Sequence, residues 1–198
     1  MERIMTDIKL LIFDLDGTII DSEEANYKAY KNALAEVDVE LSKDFFIKNC
    51  FNGQHYKDFL PLLMPNASDE EIEKVHDRKQ EIYISNMKNI SVNPIIKDII
   101  IEFKNKKKLA LATTAGAIAV QNVLRTIQLE NAFDLILTGN DVKNKKPNPE
   151  VFIKCLEHFN IEPYQTVIFE DSDIGLEAAN KTGAWIIKVE KWSNSIIN

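Results

Sequence analysis

The sequence predicts an α/β protein, with a parallel β-sheet covered by helices on both faces and a mostly helical insert after the first strand. Three observations carry that expectation. Short apolar runs recur at residues 10–13, 109–114, 134–138, 166–171 and 184–189, as expected of strands buried on both faces. Helical patterns separate the later runs, and strands alternating with helices build parallel sheets. Between about residues 22 and 90 the strand-like runs stop and only helical patterns remain.

LLIF (10–13) leads directly into Asp-Leu-Asp-Gly, a strand feeding a loop. In SEEANYKAYKNALAEV, Ala25, Ala29, Ala33 and Val37 form a helical seam, and Ser22 stands where a cap is needed. SDEEIEKVHDRKQEIYISNM opens with a capping box, Ser68 and Glu71, and buries Ile72, Val75, Ile82 and Tyr83. The lysines of KNKKK (104–108) close a further helix, where cations suit the negative end of the dipole. In IAVQNVLRTIQL, Val120, Val123, Leu124 and Ile127 share one face. In NPEVFIKCLEHF, Asn148 caps, Pro149 takes the first helical position, and Val151, Phe152, Cys155, Leu156 and Phe159 face inward. DIGLEAANKTG ends on Gly183, a helix C-cap, and Asp173 caps its start.

Composition excludes several roles. A net charge of −7 argues against nucleic acid as a partner. No apolar run approaches the roughly 20 residues of a membrane span, and MERIMTDIKLLIFD lacks the pattern of a secretory signal. Cys50 and Cys155 lie far apart without metal-ligand spacing, so they read as reduced thiols of a cytoplasmic protein. His55, His76 and His158 share no ligand spacing.

The chemistry gathers at the strand ends. The first strand delivers Asp14 and Asp16, the second Thr113 and Thr114, and the fourth Glu170 and Asp171. The loop after the third holds Lys146, in KKPNP. Ligands of parallel sheets collect beyond the carboxyl ends of the strands. Carboxylates that converge there repel one another unless a cation settles them, and hard oxygen ligands suit Mg²⁺, which also binds phosphate oxygens. With a lysine and hydroxyls beside it, such a rim is balanced by a metal and a phosphate-like dianion together.

FDLDGT, the hydroxyl of LALATT, the lysine of KKPNP and FEDSDIGLEAA are similar, in order, to the four motifs of the haloacid dehalogenase superfamily, over residues 10–189. The helical insert resembles the cap of the subgroup that includes β-phosphoglucomutase and phosphoglycolate phosphatase. The resemblance implies a three-layer, Rossmann-like catalytic core at residues 1–21 and 90–198 and a cap at 22–89. It implies a phosphoric monoester hydrolase in which Asp14 attacks phosphorus and Asp16 serves as acid and then base. Thr113, Thr114 and Lys146 would hold the phosphoryl oxygens. Asp14, the backbone carbonyl of Asp16, and Asp171 would ligate Mg²⁺, with Glu170 in or near that shell.

The expected activity is a Mg²⁺-dependent phosphatase acting on a small phosphorylated metabolite, with no nucleic-acid or membrane partner, as a monomer or weak dimer. The alternatives are a phosphomutase of the β-phosphoglucomutase type and a catalytically silent phosphate-binding module. Mutases of the subgroup carry Val after DxDG and a histidine in the first cap helix, where this chain has Thr18 and Asn26. Dehalogenases lack the second aspartate, which is present here as Asp16. Specificity is expected from the loop CFNGQHYKDFL (50–60), through Gly53, Tyr56 and Lys57.

Overall fold

Strand β1 (Leu10–Phe13) is the centre of a five-stranded sheet, with β4 (Lys108–Ala112) on one side and β6 (Thr166–Glu170) on the other. The outer strands are β5 (Leu135–Leu137) and β7 (Trp185–Lys188), giving the order β5-β4-β1-β6-β7. All four pairings are parallel. A computed structural model describes residues 7–50, 55–85, 87 and 90–192. The protein is thus an α/β fold of Rossmann-like type with a helical insertion after its first strand.

A parallel ladder needs a crossover between neighbours, and helices supply it. These are α5 (Pro94–Phe103), α6 (Ala117–Thr126), α7 (Glu150–Phe159) and α8 (Asp173–Asn180). Alternation along the strands turns Leu10, Ile12, Ala110, Ala112 and Ile168 to one face, packed with Val151, Phe152 and Cys155 of α7 and Ala178 and Ala179 of α8. Small residues at 110 and 112 leave room for the Phe152 ring, which is fully buried. On the opposite face Phe13 stacks on Phe169 at 4.6 Å and meets Phe133 edge-on at 6.2 Å. Each buried side chain of this size contributes about 1.5–3 kcal/mol before chain entropy is counted.

The contacts divide the chain into two units, Met1–Asp21 with Ser91–Asn198, and Ser22–Ile90. The second is helical among its described residues. It comprises α1 (Glu23–Ala35), the single turn α2 (Lys43–Phe45) running into a π-helical turn at Phe46–Cys50, α3 (Tyr56–Leu63) and α4 (Asp69–Ser85). The capping box at α4 is formed: Ser68 N–H donates to Glu71 Oε2 at 2.8 Å, and Glu71 N–H donates to Ser68 Oγ at 3.3 Å. The α4 stripe buries Ile72, Val75, Ile82 and Tyr83, and with them Lys79. The Lys79 ammonium donates to Asn26 Oδ1 at 2.5 Å and lies 4.7 Å over both the Tyr30 and Tyr83 rings. The stem stays apolar while the head meets an amide and two aromatic faces.

Several local expectations shift. Ser22 makes no side-chain cap; its carbonyl accepts from Asn26 N–H and Asn26 Nδ2 instead. Val37 lies beyond the end of α1 and is exposed, and Ala25 is only half-buried. Residues 56–60 are helical rather than loop, because His55 caps α3 by accepting from Lys57 N–H; residues 51–54, including Gly53, lie outside the described residues. Helix α5 ends at Phe103, so Lys106 and Lys107 lie in the turn after it, their N–H groups donating to Phe103 O. Helix α7 starts at Glu150, one residue late, although Asn148 Oδ1 still accepts from Glu150 N–H. Ser172, not Asp173, caps α8, accepting from Gly175 N–H. Gly183 follows α8 in a turn at φ +79° rather than capping it. A two-residue antiparallel pair, β2 (Ile20–Asp21) with β3 (Ser91–Val92), brackets the insert; strands this short leave no periodic trace in a sequence. Among the described residues no helix is long and apolar enough to cross a membrane.

Candidate active site

The site is assembled from the ends of β1, β4 and β6 and the loop after β5. Asp14 N–H donates to Phe169 O at 3.0 Å, extending the ladder past β1 and fixing the Asp14 carboxylate at the strand's carboxyl end. The chain then turns sharply, with Gly17 N–H donating to Ile20 O at 2.7 Å. Gly17 sits at φ +85°, and a Cβ there would run into the Asp171 carboxylate. Only glycine satisfies both demands.

Lys146 is the hub. Its ammonium donates to Asp14 Oδ1 at 2.6 Å, Glu170 Oε2 at 2.7 Å and Ala112 O at 3.1 Å, which employs all three N–H groups. Asp14 and Lys146 are each 7% exposed and Glu170 1%, so these pairs are shielded from solvent. The other oxygen of Glu170 accepts from Asp171 N–H (3.1 Å), Ser172 N–H (3.0 Å) and Ser172 Oγ (2.8 Å). Glu170 also lies where a Cβ on Gly175 would strike it, so the first turn of α8 can only approach it with glycine there. Thr18 Oγ1 donates to Asp171 Oδ1 at 3.1 Å.

Asp14, Glu170 and Asp171 each offer an oxygen within 4.8 Å of the others. One lysine balances one of these three carboxylates, so full ionisation leaves two surplus negative charges. Burial, then repulsion from Glu170, pushes the Asp14 carboxyl well above its ordinary range, although Lys146 pulls the other way. Burial, then Glu170, raises Asp171 to about 7, opposed by the Thr18 hydrogen bond. Burial acts against the charged form of Lys146 but is overcome by Asp14 and Glu170, which hold it firmly cationic. A hard divalent cation would relieve this surplus, and the donor set, all oxygen, fits one.

The metal-free protein should therefore lose stability as pH rises. Asp171 keeps its proton in the fold up to about 7, whereas the unfolded chain releases it near about 3.9. Between those values the unfolded state binds fewer protons, so the contribution of Asp171 to stability declines with rising pH and levels off above about 7. Metal-free melting curves of the wild type and Asp171→Asn should show that decline to be steeper in the wild type. Parallel curves would contradict the electrostatic account.

Of the residues expected from sequence, Asp14, Lys146, Glu170 and Asp171 meet within hydrogen-bonding or ligand-sharing distance. Asp16 lies two residues along the same turn, half-buried and bridged to Ile20. Thr113 is buried just past β4, where its Oγ1 accepts from Ala115 N–H at 3.1 Å, and Thr114 follows it half-buried. Tyr56 and Lys57 belong to the helical unit, and both engage Glu73, at 2.9 and 3.2 Å. Sequence reasoning overlooked Ser172 and Gly175, although Ser-x-x-Gly at the start of a helix signals a cap beside a close approach.

Carboxylates and a buried lysine beyond the carboxyl ends of a parallel sheet define a class: an α/β enzyme with an acidic centre suited to a cation. The profile of the haloacid dehalogenase-like hydrolases matches residues 11–189, and the chain belongs to that family, as a hydrolase of its phosphatase type. The phosphorylated carbohydrates phosphatase of Thermotoga maritima is 31% identical over 182 residues, covering 89% of this chain and 82% of that protein. Fructose-1-phosphate phosphatase YqaB of Escherichia coli is 28% identical over 175 residues, covering 87% and 92%. Among solved structures, a mutant of CbbY from Rhodobacter sphaeroides in complex with xylulose-(1,5)-bisphosphate aligns with a TM-score of 0.82 at 26% identity, over 91% of this chain and 85% of that one.

Proposed function

We propose that the chain is a Mg²⁺-dependent phosphatase of small phosphorylated sugars that works through an aspartyl phosphate on Asp14. One observation carries this reading: the buried Asp14 and Glu170 share a single ammonium and cluster with the half-buried Asp171, two charges short of neutrality. The sugar-phosphate class rests on the activities for which the Thermotoga and Escherichia relatives are named. Residues 1–21 with 91–198 are assigned the chemistry, and the helical unit is assigned substrate selection, as a cap.

Asp14, Glu170 and Asp171, with the backbone carbonyl of Asp16, would hold Mg²⁺; when bound, the ion offsets the carboxylates and draws electron density from the phosphoryl oxygens. Asp14 attacks phosphorus and the ester P–O bond breaks, while Asp16 donates a proton to the departing oxygen. Asp16 then takes a proton from the water that hydrolyses the acyl phosphate, releasing phosphate and restoring Asp14. Lys146 orients Asp14, favours its anionic form against the burial and the Glu170 repulsion that oppose it, and shares the charge of the phosphoryl oxygens. The Thr113 hydroxyl can donate to one of them.

Water as acceptor is favoured over a second sugar phosphate. Asn26 stands where the mutases carry a histidine. Its amide oxygen accepts from Lys79 and its nitrogen donates to Ser22 O, and it has no titratable proton to relay. The test is a panel of sugar phosphates, phosphoglycolate and nucleoside monophosphates assayed with Mg²⁺ and with chelator. The reading predicts phosphate release from sugar phosphates that chelator abolishes; release unaffected by chelator, or none from any ester, would contradict it.

A further inference from the structure

The loop between β5 and α7 contains no regular element, yet it delivers Lys146 to three acceptors at once. Something must hold that loop. Glu150, in the first turn of α7, accepts from Lys143 N–H at 2.9 Å through Oε1 and from Asn144 N–H at 2.8 Å through Oε2. Asn144 Nδ2 adds a third bond at 3.0 Å. The other flank of Lys146 is tied to the same turn, since Glu150 N–H donates to Asn148 Oδ1 and Asn148 N–H donates to Lys145 O. Lys154, one turn along α7, bonds Asp141 O at 2.6 Å and pairs with Glu150 at 3.2 Å. The helix behind these contacts is rigidly seated, with Val151, Phe152 and Cys155 buried against the sheet.

We propose that Glu150 is a positioning residue, clasping residues 143–144 so that Lys146 is presented to Asp14 and Glu170. A carboxylate that takes two adjacent backbone N–H groups fixes the path of the peptide between them, which a neutral side chain would do less firmly. Those two donors hold the Glu150 carboxyl down to about 2, so the clasp stays charged at working pH. Displacing Lys146 by about 1 Å is enough to cost roughly 100-fold in rate. The proposal rests on the phosphatase reading, and its test separates the two.

Turnover of p-nitrophenyl phosphate with Mg²⁺ and inhibition by inorganic phosphate would be measured for wild type, Glu150→Gln, Glu150→Ala, Lys146→Met and the Glu150→Ala/Lys146→Met double variant. Glu150→Ala should lower kcat/KM about 10- to 100-fold and weaken phosphate inhibition, with Glu150→Gln, which keeps one acceptor oxygen, in between. In the Lys146→Met background the same change should cost less than about threefold, because residues acting through one another are not additive. Full additivity, or unchanged kinetics in Glu150→Ala, would overturn the proposal. Should the wild type turn over no ester, the phosphatase reading fails, and the same cycle read as metal-free melting temperature decides Glu150: coupling with Lys146 sustains its role, additivity removes it.

Discussion

Asp14→Asn is expected to abolish turnover, by roughly four to six orders of magnitude in kcat, the scale on which loss of a nucleophile is felt. The reasoning starts from the fold. Asp14 is held past the end of the central strand by a backbone bond to Phe169 O, so the Asn variant keeps its position but presents an amide that cannot attack phosphorus. The protein should still fold. Burial and Glu170 already resist ionisation of Asp14, and a neutral side chain removes that repulsion while Lys146 retains Glu170. Steady-state assays with Mg²⁺ and metal-free melting curves check both halves. The account expects an inactive variant melting no lower than wild type, and residual activity within about tenfold of wild type would refute the nucleophile.

Lys146→Met should show the largest stability effect. The ammonium is paired at 2.6 and 2.7 Å with two carboxylates that are shielded from solvent. Removing one partner of a buried pair leaves uncompensated charge, a cost of about 3–5 kcal/mol. The remedy available to the variant is protonation, because burial and Glu170 already raise the Asp14 and Asp171 carboxyls above their ordinary range. The loss in melting temperature should therefore be large at pH 8, smaller at pH 5, and reduced by saturating Mg²⁺. A variant equally destabilised at both pH values would mean that the fit of the side chain beside the Phe152 ring, over which the ammonium lies at 4.8 Å, matters more than the charge balance of the carboxylates.

Much of this architecture is legible in the chain because it depends on short-range rules. LLIF occupies the span read for it, since an apolar run closed by Asp-Leu-Asp-Gly has little alternative to a buried strand. The box of Ser68 and Glu71 forms as its spacing demands. What escaped depends on partners distant in sequence. Lys79 completes the buried stripe of α4, but its charge disguises it until Asn26, Tyr30 and Tyr83 are brought alongside. Helix α3 was hidden by Pro61, which the structure accommodates inside the helix. Asp14, Asp171 and Lys146 could be picked out as candidates because strand ends of a parallel sheet share one rim. That Glu170 spends one oxygen on Ser172 and the other on Lys146 depends on how the fold brings the loop after β5 to the end of β6.

The central claim is that Asp14 becomes phosphorylated while Lys146 and the acidic cluster balance its charge. It is tested most directly by mixing enzyme, Mg²⁺ and a turned-over sugar phosphate, quenching in acid within the first turnover, and mapping the added phosphoryl group by mass spectrometry. The account predicts one acid-stable, base-labile phosphoryl group on the peptide that contains Asp14, absent from Asp14→Asn and both formed and lost more slowly in Asp16→Asn. A phosphoryl group on any other residue, or none at any time during turnover, would contradict it.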